Sequence, residues 1–299
     1  MPSADPFTRL RPGDRVAVIA PASAPDPDRL RAGVEVLASW GLEAVILPSA
    51  TTSRRHLGDL AADDFVRAHD VIKAWGDPEV AAIWAARGGY GVQRMIDLVP
   101  HGIFNPRSRC RPIIGFSDLT PLLLRAMCES GTQMIHGPMV VNLGEAPEEA
   151  LDHLHRLLFE PHVPRTLVTG LTSWSGGDVQ GVLLGGNVSL LAASVGTRDL
   201  PNPEGAIVLL EDVGQPQWVI DRALTQLIRA GWLSRAAGIL LGDFSLDDDP
   251  ALVTAMLRDR LLPLGVPVWA GMPAGHEQLN LALPVGAMVR IVGGYLRLA

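Results

Sequence analysis

Cysteine is scarce in this chain: there are two in 299 residues, Cys110 and Cys128, neither in a CxxC spacing nor beside a histidine pair. That excludes a disulfide framework and a cysteine-based zinc site, and it fits a reducing compartment. Long apolar runs are missing too. No segment approaches the roughly 20 apolar residues that a membrane span needs, and the start, MPSADPFTRLRPGDR, has no apolar stretch of signal-peptide length. The expectation is a soluble cytoplasmic protein with no membrane partner. Basic runs are absent and the formal net charge is −7, which speaks against the counterion release that drives nucleic-acid binding. No HExxH occurs, the DDD at Asp247 to Asp249 matches no EF-hand register, and neither a P-loop nor a GxGxxG is present. Neither a metal nor a cofactor is expected.

What is there is a globular balance, 47% hydrophobic and 19% charged, in a chain long enough to bury a substantial core. In the first half, short apolar runs alternate with helical stretches, the pattern of a parallel sheet covered by helices. Strands are predicted at Arg15 to Ala20, Ala44 to Leu47, Ala81 to Ala86 and Ile113 to Phe116. Asp26 and Pro27 suit the N-cap and first position of the helix that Gly41 stops. From Asn142 to about Gly176 the text turns polar and proline-bearing. The expected division is an N-terminal α/β domain over 1–142, a linker with one short helix over 143–175, and a C-terminal α/β domain over 176–299. In the last, strands are predicted at Val179 to Leu184, Ala206 to Leu210, Gly238 to Leu241, Val266 to Ala270 and Met288 to Val292.

In PIIGFSDLTPLLL a β-branched strand runs into a helix that begins near Pro121, with Thr120 suited to its N-cap. Ser117 then sits in the tight turn between them, at the carboxyl edge of the sheet. The N–H of Asp118 lies near the helix N-terminus, where developing negative charge is favoured. The design has the logic of a nucleophile elbow, without the second glycine of GxSxG. Read alone, such a turn is more often plain turn chemistry than a nucleophile. A second glycine-rich turn, ARGGYG, falls at the same sheet edge, and an N–H at Gly89 is a candidate for the other half of an oxyanion hole. Glu211 ends the apolar run AIVLLEDVG, where a carboxylate costs desolvation unless bonded; orienting an imidazole and an ordinary strand-end role both remain open. His276, in the glycine- and proline-rich loop MPAGHEQLNLALPVG, is the best general-base candidate of the eight histidines. His136 in MIHGPM is its rival, read as a structural or substrate-side residue, and His153 and His155 default to the solvated linker surface.

Taken together, RGGYG, GFSD, HGPM, LLGGNVSLL, LLEDVG, IDRALTQL and GHEQLN stand in the order of one family. From about Gly13 to Val292 the chain resembles the LD-carboxypeptidases, a family of serine peptidases that includes the microcin-C immunity peptidases. The resemblance implies a Ser-His-Glu triad of Ser117, His276 and Glu211, with backbone oxyanion donors at Asp118 and Gly89. It implies a flavodoxin-like or Rossmann-like N-terminal layer and a smaller C-terminal α/β swivelling domain, with the site between them. The implied substrate is a small peptide, the murein tetrapeptide of cell-wall recycling, from which terminal D-alanine is released; relatives commonly form homodimers. Arg87 is a candidate for the substrate carboxylate and Asn187 for a hydrogen bond to the peptide. The immunity branch would instead cleave a peptidyl-nucleotide, and Trp174 would be the platform for the base. Two other classes stay in view: a non-catalytic peptide-binding relative, and a nucleotide-binding α/β protein using the glycine turns, which predicts dinucleotide affinity.

Overall fold

The computed structural model of the chain describes residues 2–4, 6–51, 56–105, 110–160, 166–245 and 248–299. The strands are β1 (Arg15–Ile19), β2 (Glu43–Ile46), β3 (Val80–Ala85), β4 (Ile113–Gly115), β5 (Met134–His136), β6 (Thr166–Val168) and β7 (Thr172–Ser175) in the first part of the chain. They continue with β8 (Val179–Asn187), β9 (Ala206–Val213), β10 (Gly238–Ser245), β11 (Val268–Ala270), β12 (Leu283–Val285), β13 (Met288–Val292) and β14 (Tyr295–Leu298). They form a six-stranded sheet in the order β12-β5-β4-β3-β1-β2 and an eight-stranded sheet in the order β6-β14-β13-β8-β9-β10-β11-β7.

The first sheet is parallel from β5 to β2, as the buried runs VAVI and VAAIWA require. Its connections carry helices. Asp26 caps the helix Pro27–Ser39 by accepting from the N–H groups of Asp28 and Arg29, and Gly41 takes the left-handed conformation beyond its end, with φ +78°. In the second sheet β8 to β11 are parallel, and antiparallel strands extend it on both sides. The fold is therefore mixed α/β, laid out as two sheet-based halves.

Two features depart from the sequence expectation. The stretch expected to be linker supplies β6 and β7, both at edges of the second sheet. Its helix, Glu148–Phe159, buries Ala150, Leu154, Leu157 and Leu158, the one-sided stripe of an amphipathic helix, so it packs rather than spans. The histidines expected on its solvated face are accordingly engaged: His153 Nε2 lies 2.8 Å from the Ala282 carbonyl, and His155 stacks on Phe159 with ring centres 4.4 Å apart. The second departure is β12, which comes from the C-terminal half yet pairs antiparallel with β5 at the edge of the first sheet. A short run such as LPV carries no mark of which sheet it will join. Residues 161–165 of the expected linker, and Asp247 of the DDD cluster, lie outside the described residues.

Between the sheets lies the helix Thr120–Ser130, buried along nearly its whole length. One apolar cluster runs through it, from Ile83 and Phe116 on one side to Leu184 and Leu224 on the other. A continuous core of this kind holds the two halves in a defined relation, and the site depends on that relation. Among the described residues no helix is long and apolar enough to cross a membrane, and no group of three or more His, Cys, Asp or Glu side chains is arranged to hold a metal ion.

Candidate active site

Ser117 leaves β4 with φ +62°, one of two non-glycine residues with positive φ among those described. That left-handed conformation costs roughly 1–2 kcal/mol for a residue with a Cβ, and packing sustains it. Phe116 anchors one side in the core. On the other side the chain turns through a 3₁₀ segment, Ser117–Leu119, directly into the buried helix.

Thr120 is not the N-cap expected from the sequence. The 3₁₀ turn runs on without a capping side chain, Thr120 is already helical, and its hydroxyl donates to the Ser117 carbonyl at 2.8 Å. The same oxygen accepts from the Asn187 N–H at 3.1 Å, so one hydroxyl ties the Ser117 turn to the end of β8 in the other half.

The Asp118 carboxylate accepts from the Val92 N–H at 2.8 Å and so holds the RGGYG turn against the Ser117 turn. Burial pushes this carboxyl up to about 6; the Val92 hydrogen bond and Arg67 work in the opposite direction. Gly88 packs directly on the serine, since a Cβ there would come within 3.2 Å of Ser117 Cβ and 3.3 Å of its Oγ. Gly89 has φ +104°, and a Cβ on it would lie 2.3 Å from Ser23 Oγ. No other residue type fits that position without displacing Ser23.

Glu211 and His276 meet. Glu211 stands near the end of β9, wholly buried, and its Oε2 lies 2.9 Å from His276 Nδ1. A bulge makes the approach possible. The β9–β10 register shifts between Leu241 and Phe244, beside Glu211. Gly242 lies in that shift with no room for a side chain, because a Cβ would sit 2.3 Å from the Ala274 carbonyl and 3.1 Å from Glu211 Cβ. The loop that carries His276 therefore passes close over the strand. It is tied down by the Asp243 N–H to the Ala274 carbonyl at 2.9 Å, and by Gly275 N–H to Asn280 Oδ1 at 3.3 Å. Burial raises the Glu211 pKa, but the two imidazoles beside it, His136 and His276, more than offset this and hold the carboxyl below its usual range. Asp243, which sequence reading passed over, is pushed up to about 6, chiefly by burial. Its signal was faint: one carboxylate in an otherwise apolar strand.

Ser117 and His276 line one cleft of about 380 Å³, together with Arg87, Asn187, Ser189 and Asp212. The His276 ring lies 4.8 Å from that of Phe116, the residue before the serine. An adjoining cavity of about 240 Å³ shares His276, Phe116 and Asn142 with it. Arg87 faces the cleft with one nitrogen donating to the Ala24 carbonyl at 2.8 Å. The Asn187 side-chain oxygen caps the next helix at Leu190 N–H, which leaves its NH₂ group for the cleft. Asp212 is turned to Ser189, accepting from both its N–H and its hydroxyl. Trp174 is not on the cleft wall; the Arg258 guanidinium covers its ring at 4.4 Å.

Comparison with known proteins agrees with this architecture. The family profile of the LD-carboxypeptidase N-terminal domain matches residues 16–137, and that of the C-terminal domain matches residues 180–291. A Streptomyces coelicolor relative is 40% identical over 280 residues, covering 93% of this chain and 90% of its own. The murein tetrapeptide carboxypeptidase of Pseudomonas aeruginosa is 34% identical over 298 residues, covering 95% and 94%. Among solved structures, a muramoyltetrapeptide carboxypeptidase from Oxalobacter formigenes superposes with a TM-score of 0.77 at 26% identity over 95% of this chain and 97% of that one. An MccF-like protein from Bacillus anthracis shares the fold with a TM-score of 0.86 at 22% identity, over 99% of both chains. With both halves matched in order along one polypeptide, the chain belongs to the LD-carboxypeptidase family of peptidases.

Proposed function

We propose that this protein is a serine carboxypeptidase that releases terminal D-alanine from murein tetrapeptides by cutting the bond between an L-centre and the D-residue. The observation that carries the reading is the 2.9 Å contact between buried Glu211 and His276, on the wall of the same cleft as a serine held at φ +62°. In this reading Glu211 keeps the proton on His276 Nδ1, so that Nε2 is the base. Ser117 Oγ attacks the scissile carbonyl and passes its proton to Nε2. The N–H groups of Asp118 and Gly89 receive the oxyanion. His276 then protonates the departing amine, and a water molecule, deprotonated the same way, frees the acyl group from Ser117.

Arg87 would pair with the carboxylate of the leaving D-residue, and the Asn187 NH₂ would bond the peptide on the other side of the scissile bond. Support for the substrate comes from the 34% identical relative named as a murein tetrapeptide carboxypeptidase. The enzyme would act in the cytoplasm on imported muropeptides, as a homodimer, a state that light scattering of the purified protein reports.

The peptidyl-nucleotide reading fits less well. One MccF structure holds glutamyl sulfamoyl guanosine, but the tryptophan proposed here as a base platform has its face taken by Arg258. A side-by-side assay separates the two: L-Ala-D-Glu-diamino acid-D-Ala, its L,L-linked isomer and an aminoacyl sulfamoyl nucleotide. Turnover of the first alone is expected; turnover of the nucleotide alone would replace this reading with the other.

A further inference from the structure

Among the described residues Glu211 is hydrogen-bonded through one oxygen. Oε2 meets His276 Nδ1, whereas Oε1 has no hydrogen-bond partner among the described residues. Beside that oxygen is His136, whose Nε2 lies 3.9 Å from Oε1. His136 is fully buried, and among the described residues neither of its ring nitrogens has a hydrogen-bond partner. A buried polar group left without a partner is costly. Here an unpaired acceptor and an unpaired ring nitrogen face each other, and a movement of about 1 Å brings them to ordinary hydrogen-bond length.

The surroundings hold His136 in place. It ends β5, with Gly115 opposite it on β4 and Leu283 opposite it on β12. Its ring lies 5.8 Å from that of Phe116, whose ring in turn lies 4.8 Å from that of His276. The Glu211 carboxylate, from the second sheet, thus stands between two imidazoles, one carried by each half of the molecule. The HGPM motif, prominent in the sequence and given no part in the reaction above, supplies the second of them.

We propose that His136 is a positioning residue: its Nε2–H donates to Glu211 Oε1 and fixes the carboxylate plane so that Oε2 stays on His276 Nδ1. The inference rests on the Ser-His-Glu reading of the site. His136 touches neither substrate nor serine and acts through Glu211. As a neutral donor it draws charge from the carboxylate. Without it, Glu211 would hold the protonated form of His276 more strongly, and the acid limb of kcat/KM would move to higher pH. The other ionisable groups beside the cluster are Asp212 from β9, Asp243 from β10 and Glu277 from the His276 loop, and all three stay in place in the variants below.

The test compares His136→Gln, whose amide nitrogen replaces the Nε2 donor, with His136→Met, of similar volume but without one, in the full-length protein. The Gln variant is expected within about threefold of the wild-type kcat with an unmoved acid limb. The Met variant is expected to lose about 10- to 100-fold in kcat with KM within about twofold, the scale known for losing a hydrogen bond that orients a metal-bound side chain, and to show the raised acid limb. Equal behaviour of the two variants, whether both active or both impaired with the wild-type limb, overturns the proposal. If the Met variant does not fold, ¹⁵N NMR of the wild-type imidazoles decides: the proton of His136 on Nε2 is expected, and a proton on Nδ1 alone overturns the assignment. That spectrum does not depend on turnover, so a protein inactive on every peptide would remove the peptidase reading while the tautomer still tests the contact.

Discussion

His276 Nδ1 and Glu211 Oε2 lie 2.9 Å apart, joining a loop after β11 to the end of β9 through one carboxylate that no solvent reaches. A carboxylate only accepts, so this contact places the proton on Nδ1 and leaves Nε2, the nitrogen proposed above as the base, without it. Glu211→Gln keeps the shape but offers an amide that can donate to Nδ1, which favours the opposite tautomer. We expect kcat to fall by about 10³- to 10⁴-fold, the scale seen when a triad acid becomes an amide, with a native near-ultraviolet circular dichroism spectrum. A loss under tenfold would mean that the contact does not set the tautomer.

Ser117 stores backbone strain at φ +62°. Glycine relieves it and alanine does not. In urea unfolding, Ser117→Gly should be about 1 kcal/mol more stable than Ser117→Ala, while both abolish turnover. Equal stability would show that the turn is not strained.

Asp118 makes folding pH-dependent in a direction opposite to most carboxylates. Its pKa is raised by burial from 3.8 to about 6, so ionisation disfavours the folded state. The stability it contributes is fully present below pH 3.8, is lost as pH rises through about 6, and amounts to about 3 kcal/mol over that window. Asp118→Asn still presents an oxygen to the Val92 N–H and removes the charge. The variant should gain about 1–3 kcal/mol over wild type at pH 8 and nothing at pH 4, measured by urea unfolding across the range. A gain that does not vary with pH would contradict the assignment.

The glycine turn separates a structural requirement from a catalytic one. Gly89→Ala drives a Cβ to 2.3 Å from Ser23 Oγ at φ +104°, and Ser23 in turn holds the Tyr90 N–H at 3.0 Å. It should cost about 2 kcal/mol or more in stability. In Gly88→Ala the new methyl meets the serine side chain at 3.2–3.3 Å. Stability should stay within about 1 kcal/mol of wild type, and kcat should fall. Parallel effects of the two changes on stability would remove the distinction.

Much of the scaffold was legible because its strands are buried on both faces and read as unbroken apolar runs: β1, β3, β8, β9 and β10 were all visible this way. Three short strands were not. β6, β7 and β14 are three or four residues long, and no periodicity can be read from so few residues. The sheet that claims β12 is decided by tertiary pairing with His136 and its neighbours, which no local pattern encodes. At the site, the turn that holds Ser117 was readable from strand, glycine and proline alone. The meeting of Glu211 with His276 was expected through family resemblance rather than from the residues themselves, since 65 positions separate them. The bulge at Gly242 that lets the loop approach, and the buried His136 beside Glu211, became visible only in three dimensions.

The central claim is that the Ser117 hydroxyl attacks the amide. The measurement that meets it most directly is D-alanine released from L-Ala-D-Glu-diamino acid-D-Ala by wild type and by folded Ser117→Ala, each with and without a chelator. Chelator-insensitive release by wild type, and a loss of about 10³-fold or more in the variant, is the predicted result. Release by Ser117→Ala at the wild-type rate would contradict it.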